Sequence, residues 1–161
     1  MCIRDSPEQT SGSRFQWERP KLNRIWTVFT FLVLLCLAGC DQSDTALPRA
    51  GEWRVVNYWA IWCGPCREEI PELNALNQHS AITVFAVNYD GQQGEVLIKQ
   101  AAELGIAFEL LEQDPAPDLG IERPRVLPTT LLVNPEGAVT DTLVGPQTQE
   151  AILALWKERR S

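Results

Sequence analysis

Two cysteines separated by a glycine and a proline, Cys63-Gly64-Pro65-Cys66, stand directly after an apolar, β-rich run and directly before a helical pattern. A pair at this spacing can do redox chemistry. At a helix start the first thiol meets unpaired backbone N–H groups and the positive end of the dipole, which favour a thiolate. The second thiol lies one turn on, within reach for a disulfide. Pro65 costs little there, because its missing N–H would have no partner anyway. On this reading Cys63 is the exposed nucleophile. Cys66 is the shielded thiol that closes the disulfide and releases the product. The same two thiolates suit a soft Cu(I) ion, whereas zinc wants about four ligands. The other cysteines are Cys2, Cys36 and Cys40, all near the N-terminus, and the lone histidine, His79, reads as a surface residue. No metal site beyond the two thiolates is therefore expected.

The elements that must position the pair can be read on either side of it. Arg54-Val55-Val56-Asn57-Tyr58-Trp59-Ala60 is rich in β-branched and aromatic residues and predicts the strand that delivers it. Ile70, Leu73 and Leu76 recur at helical spacing after it, with Pro71 expected to kink that helix. Residues 82–87 are almost continuously apolar, as in a strand buried on both faces. Val96, Leu97, Ala101 and Leu104 mark a second helix that Gly105 ends, and residues 106–111 a short strand. Residues 114–128 hold Pro115, Pro117, Pro124 and Pro128 and read as irregular. Thr130–Val133, the turn Asn134-Pro135-Glu136-Gly137 and residues 138–144 predict a hairpin. Thr148 is the expected N-cap of a last helix that buries Ala151, Ile152, Leu155 and Trp156. The order β-α-β-α-β, hairpin, helix implies a three-layer α/β sandwich with mixed strand directions.

The chain has 161 residues, 45% apolar and 22% charged, which are globular proportions for one domain. A net charge of −7 argues against binding nucleic-acid phosphates. Residues 1–39 carry five basic and three acidic side chains, and residues 40–161 carry nine and eighteen. Residues 1–6, Met1-Cys2-Ile3-Arg4-Asp5-Ser6, resemble the translation of a sequencing-library adapter and are set aside. Residues 7–39 read as a leader plus signal peptide. The apolar run from Ile25 to Ala38 follows Arg19, Lys21 and Arg24 and is shorter than the roughly 20 residues of a membrane-spanning helix. Leu37-Ala38-Gly39-Cys40 resembles the lipobox of bacterial lipoproteins, which implies lipid attachment at Cys40; a signal-anchor helix is the alternative. Residues 40–53 then form the lipidated cysteine and a polar tether, and residues 54–161 the domain.

The run Val55-Val56-Asn57-Tyr58-Trp59-Ala60-Ile61-Trp62-Cys63-Gly64-Pro65-Cys66 resembles the active-site strand and turn of the thioredoxin superfamily. Leu127-Pro128-Thr129-Thr130 resembles its cis-proline loop. Cys66-Arg67-Glu68-Glu69-Ile70-Pro71 resembles the C-x-x-E-x-P pattern of membrane-tethered TlpA-like and ResA-like disulfide reductases, and the strand near 106–111 that branch's central insertion. The resemblance runs from about Trp53 to Arg160. It implies a thioredoxin-like sandwich with a central mixed sheet. Together with the lipobox-like run ending at Cys40, it implies a lipid-anchored protein-disulfide reductase on the periplasmic side of the inner membrane, with the Cys63–Cys66 disulfide in place of any organic cofactor.

The same resemblance implies roles for other residues. Pro128 is expected to present a cis bond beside Cys63, with the Leu127 backbone pairing with an extended substrate. Trp62 flanks the nucleophile, and Trp59 packs in the core. Asn57 stands where thioredoxin keeps a buried aspartate, and it cannot take a proton. Glu69 is then the candidate for proton transfer, the alternative being an exposed first-turn glutamate that complements the dipole, as Glu68 does. Substrate protein disulfides follow from the resemblance; a membrane electron donor of the DsbD/CcdA type is expected to re-reduce the pair, because the periplasm has no reducing buffer, and the protein is expected to be a monomer. General thiol reduction is favoured over cytochrome c maturation, because that branch carries an acidic Pro-Glu-Thr-type loop where this chain has Pro128-Thr129-Thr130. A copper-binding module using the same thiolates is the alternative function. One departure is that TlpA-like proteins usually place a β-hairpin before the active-site strand, and residues 41–53 leave little room for it.

Overall fold

Five strands and three helices follow one another along residues 47–161, the part of the chain that the computed structural model describes. They are β1 (Trp53–Trp59), α1 (Gly64–Leu76), β2 (Ile82–Asn88), α2 (Gly94–Leu104), β3 (Glu109–Leu111), β4 (Thr129–Val133), β5 (Val139–Val144) and α3 (Gln149–Arg159). The adapter-like residues, the signal segment and Cys40 lie outside the described residues. No helix among the described residues is long and apolar enough to cross a membrane.

The strands form one sheet in the order β3-β2-β1-β4-β5. β1 runs parallel to β2 and antiparallel to β4; β2 and β3 are parallel, and β4 and β5 antiparallel. β1 is therefore central, which is why a run as apolar as Val55–Trp59 is buried throughout. The β1-α1-β2 and β2-α2-β3 crossovers step the same way across the sheet, so right-handed connections set both helices on one face. α3 joins them there: Ile152 and Trp156 pack with Val55, Trp59, Ile70, Leu73 and Leu97. The opposite face, with Val56, Tyr58, Phe85, Val87 and Leu131, is covered by Leu47 and by Leu119, Ile121 and Leu127. Among the described residues, the third layer of this thioredoxin-like sandwich is thus irregular chain.

That irregular chain is held by polar contacts. Tyr58 Oη donates to Asp114 Oδ1 at 2.7 Å, and Arg123 Nε meets Asp114 Oδ2 at 2.6 Å. The Arg123 guanidinium also donates to the Tyr89 carbonyl at 2.6 Å and lies 4.4 Å over the Tyr89 ring. The segment that leads to Leu127–Pro128 is so pinned to the ends of β1 and β2.

Several expectations need correction. The strand expected over 106–111 shortens to Glu109–Leu111 because the preceding amides are spent elsewhere. Gly105 caps α2 in the left-handed region (φ 75°), the Ile106 N–H bonds to Ala101 O at 3.0 Å, and the Ala107 N–H to Asn74 Oδ1 at 2.8 Å. Val96 is exposed while Leu97, Ala101 and Leu104 are buried, since one residue off a helical stripe turns the side chain away by about 100°. Ala151 is exposed for the same reason beside Ile152 and Trp156. The helix read from Ile70, Leu73 and Leu76 does form, and Pro71 lies inside it.

Candidate active site

Cys63 is the N-cap of α1, as its position between strand and helix requires. Its Sγ accepts the Cys66 N–H at 3.2 Å, which satisfies one of the orphan donors of the helix start, with Pro65 in the first turn. The two sulfurs form a disulfide of 1.99 Å with Cα atoms 5.3 Å apart. Cys66 is wholly buried, as expected. Cys63 is not the exposed group that was expected: it is only 4% accessible. In the oxidised pair its sulfur is turned toward the helix end and Cys66, so the solvent-facing surface is that of Trp62, Gly64 and Pro65. The narrow opening left at Cys63 still distinguishes it from Cys66.

Trp62 is 64% exposed, and its Nε1 donates to both Asp90 carboxylate oxygens, at 3.0 and 3.2 Å. Trp59 is buried in the core. The Leu127–Pro128 bond is cis. Thr129 pairs with Tyr58 at the end of β1, so the loop and the cysteine turn share one end of the sheet. Pro128 O accepts the Gly145 N–H at 2.9 Å. Among the described residues no hydrogen bond engages the Leu127 peptide N–H or C=O. Beside this loop, Val126 and Val144 are exposed and line a groove of about 190 Å³ with Ile121, Pro124 and Thr129.

Beneath the disulfide lies Glu69, one turn after Cys66 on the same buried face of α1 and 1% exposed. Glu68 and Glu69 both fall in the second turn, not the first, so neither sits where a first-turn acid would complement the dipole. Glu69 Oε1 accepts from Asn57 Nδ2 at 2.7 Å, and Oε2 from the Gln147 N–H at 3.0 Å. Burial pushes its carboxyl up to about 7, against the pull of those two donors toward the ionised form. Asn57 Nδ2 also donates to Thr130 Oγ1 at 3.0 Å, while Asn57 Oδ1 is buried without a partner among the described residues. The one group in this buried layer that can exchange a proton near neutrality is Glu69.

Thr130, Gln147 and Asp90 were not singled out in the sequence. Thr130 carried a faint signal, a polar residue in a buried strand, and its β1–β4 pairing sets it opposite Asn57. Gln147 acts on Glu69 through its peptide N–H, which no residue type reveals. His79 lies beyond α1, at the far end from the cysteines. Its ring packs edge-on to Trp156 at 5.2 Å. A hollow of about 570 Å³ lined by His79, Trp53, Ile82 and Glu109 opens there, at the strand starts. Among the described residues no three or more His, Cys, Asp or Glu side chains converge on a metal position.

A CxxC disulfide capping a helix, set against a cis-proline loop on a mixed sheet, defines a thioredoxin-fold dithiol protein. Residues 32–142 match the AhpC/TSA family, and the chain belongs to it. It is 34% identical over 109 residues to the thiol:disulfide interchange protein HelX of Rhodobacter capsulatus, covering 65% of this chain and 58% of that protein. It is 33% identical over 125 residues to the thiol:disulfide interchange protein CycY of Rhizobium leguminosarum bv. viciae, covering 68% of this chain and 65% of that one. The chain thus spans less than two thirds of either relative's length. The crystal structure of StoA from Bacillus subtilis matches with a TM-score of 0.55 over 68% of this chain and 85% of that one; at 23% identity it shows the shared fold. These matches agree with the TlpA/ResA-like branch that the C-x-x-E-x-P pattern implied.

Proposed function

We propose that this chain is a thiol–disulfide oxidoreductase that reduces disulfides in substrate proteins. The observation that carries the reading is the Cys63–Cys66 disulfide at the N-terminus of α1, with a first cysteine that keeps slight exposure, a wholly buried second one and a buried carboxyl one turn below. The reaction starts from the dithiol. Cys63 thiolate, favoured by the helix end, attacks a substrate disulfide, forming a mixed disulfide and releasing one substrate thiolate. Cys66 then attacks Cys63 Sγ. The bond to substrate breaks, the Cys63–Cys66 bond forms, and the second substrate thiolate leaves. Two electrons have passed to the substrate. Buried Cys66 must lose its proton to attack, and Glu69 is the group placed to accept it and return it to the leaving thiolate.

The free Leu127 peptide edge suits pairing with an extended segment, and the Val126–Val144 groove suits an apolar side chain of that segment. Trp62 adds an apolar contact beside the nucleophile. Cys40 is proposed to carry a lipid that holds the protein on the periplasmic side of the inner membrane. A donor of the DsbD/CcdA type would renew the dithiol, because that compartment has no reducing buffer. The protein is proposed to act as a monomer with no cofactor besides its disulfide. The test is trapping: Cys66→Ser should accumulate a mixed disulfide through Cys63 with a model protein disulfide. A variant that forms no such adduct under conditions where Cys63 is alkylated normally would refute the reading.

A further inference from the structure

The turn between β5 and α3 touches both halves of the site. Gln147 donates its peptide N–H to Glu69 Oε2 at 3.0 Å, and its side-chain Nε2 donates to Gly145 O at 2.9 Å. Gly145 in turn donates its N–H to Pro128 O at 2.9 Å. Three hydrogen bonds in series therefore run from the buried carboxyl on α1 to the carbonyl of the cis-proline loop. The turn is anchored further along: Glu72, one turn after Glu69, accepts the Gln149 N–H at 2.9 Å, and Thr148 Oγ1 accepts the Ala151 N–H at 3.2 Å. Gly145 sits at φ 92°, in the region that favours glycine, so the reversal that aims its N–H at Pro128 resists other residues there.

We propose that Gln147 is a positioning residue of the thiol–disulfide reaction, holding the Glu69 carboxylate with its peptide N–H and the Pro128 substrate loop with its side chain. The proposal rests on the oxidoreductase reading for its kinetic part only. A carboxylate that accepts two donors is held by both when ionised. When it takes a proton, the oxygen that carries it becomes a donor and a weaker acceptor, so the N–H bonded to that oxygen is held less firmly. Protonated at Oε2, Glu69 thus loosens its hold on the Gln147 N–H and on the turn that fixes Pro128. Along α1 the flanking groups are Cys66, held in the disulfide, and Glu72, which accepts the Gln149 N–H; β1 and β4 contribute the neutral Asn57 and Thr130. None of them supplies the link to Pro128 that the 145–147 turn does.

Two variants separate the two contacts. Gln147→Pro removes the N–H and the side-chain donor together, and follows a proline already at position 146. Gln147→Ala keeps the N–H and removes only the side-chain bond. In the oxidised full chain, the Glu69 side-chain carboxyl carbon is followed by NMR across pH, a readout that needs no activity. Its midpoint should rise by about one pH unit in Gln147→Pro, the effect of losing one donor to a charged group, and stay put in Gln147→Ala. In reduction of a protein disulfide, Gln147→Ala should raise KM about fivefold with kcat kept, as expected for one lost hydrogen bond in the substrate loop. An unmoved Glu69 midpoint in folded Gln147→Pro, or an unchanged KM in Gln147→Ala, overturns the proposal. If Gln147→Pro fails to fold, the Gln147→Ala kinetics decide alone. Should the wild-type chain itself reduce no disulfide, the oxidoreductase reading falls, and the NMR midpoints decide on Gln147 separately.

Discussion

Burying Glu69 should make the stability of the oxidised protein fall as pH rises through neutrality, opposite to the usual behaviour of a paired carboxylate. Its folded-state value of about 7 lies above the ordinary 4.5. Between those values the folded protein holds a proton that the unfolded chain has released. The stabilising effect is therefore complete below about pH 4.5, declines as pH climbs toward 7, and is gone above it. The gap of about 2.5 units corresponds to about 3 kcal/mol. Glu69 is 1% exposed, so solvent screening removes little of this. The assay is urea unfolding of the disulfide-intact protein at pH 5 and pH 8, with His79→Asn in every sample to remove the imidazole. With m of about 1–3 kcal/mol/M, the midpoint should drop by about 1–3 M urea between the two. Glu69→Gln has nothing to titrate and should show nearly equal midpoints. Equal midpoints in the Glu69 protein, or the same drop in Glu69→Gln, would refute the assignment of Glu69 as the buried group that titrates near neutrality.

Further outcomes follow from other contacts. Tyr58→Phe should cost about 1–2 kcal/mol of unfolding free energy by removing the 2.7 Å bond to Asp114; loss of nothing measurable would mean that Arg123 and the Ala116 N–H suffice to hold Asp114. Leu73→Ala, at a site with no exposure between α1 and the sheet, should cost about 2–5 kcal/mol, read by the same urea titration. Asp141→Asn should destabilise the protein at pH 7, because Arg159 grips that carboxylate with two bonds of 2.8 and 2.9 Å and holds its proton affinity below the usual range. Its penalty should fade as pH falls through the carboxylate range, where Asp141 itself becomes protonated; a penalty independent of pH would exclude a charge effect. Trp62→Ala should leave the unfolding free energy within about 0.5 kcal/mol while slowing reaction with protein disulfides more than with small ones, as expected of a 64% exposed contact residue.

Elements and chemistry differ in how far the sequence reveals them. Val55–Trp59 and Ile82–Val87 announce themselves because a central strand buried on both faces needs apolar residues in unbroken runs. Cys63 and Cys66 are legible because a helix-capping thiol and its partner need that spacing. Glu69 was visible only through the resemblance, and its burial came from tertiary packing: α3 and its preceding turn close over it, and nothing in residues 66–71 encodes them. Gln147 was invisible, since backbone N–H groups carry no side-chain signature. The short β3 was misjudged because its would-be first amides serve the Gly105 cap and Asn74, two contacts that hydrophobic pattern does not register. The accessibility of Cys63 was overestimated because the disulfide draws its sulfur inward.

The most direct measurement is the equilibrium reduction potential of the Cys63–Cys66 pair in a thiol–disulfide buffer, read by the change in tryptophan fluorescence and confirmed by alkylation. A value near or below about −220 mV is expected for a protein that gives electrons to substrate disulfides. A value near about −120 mV, that of a strong oxidant, would contradict it and make the protein a donor of disulfides.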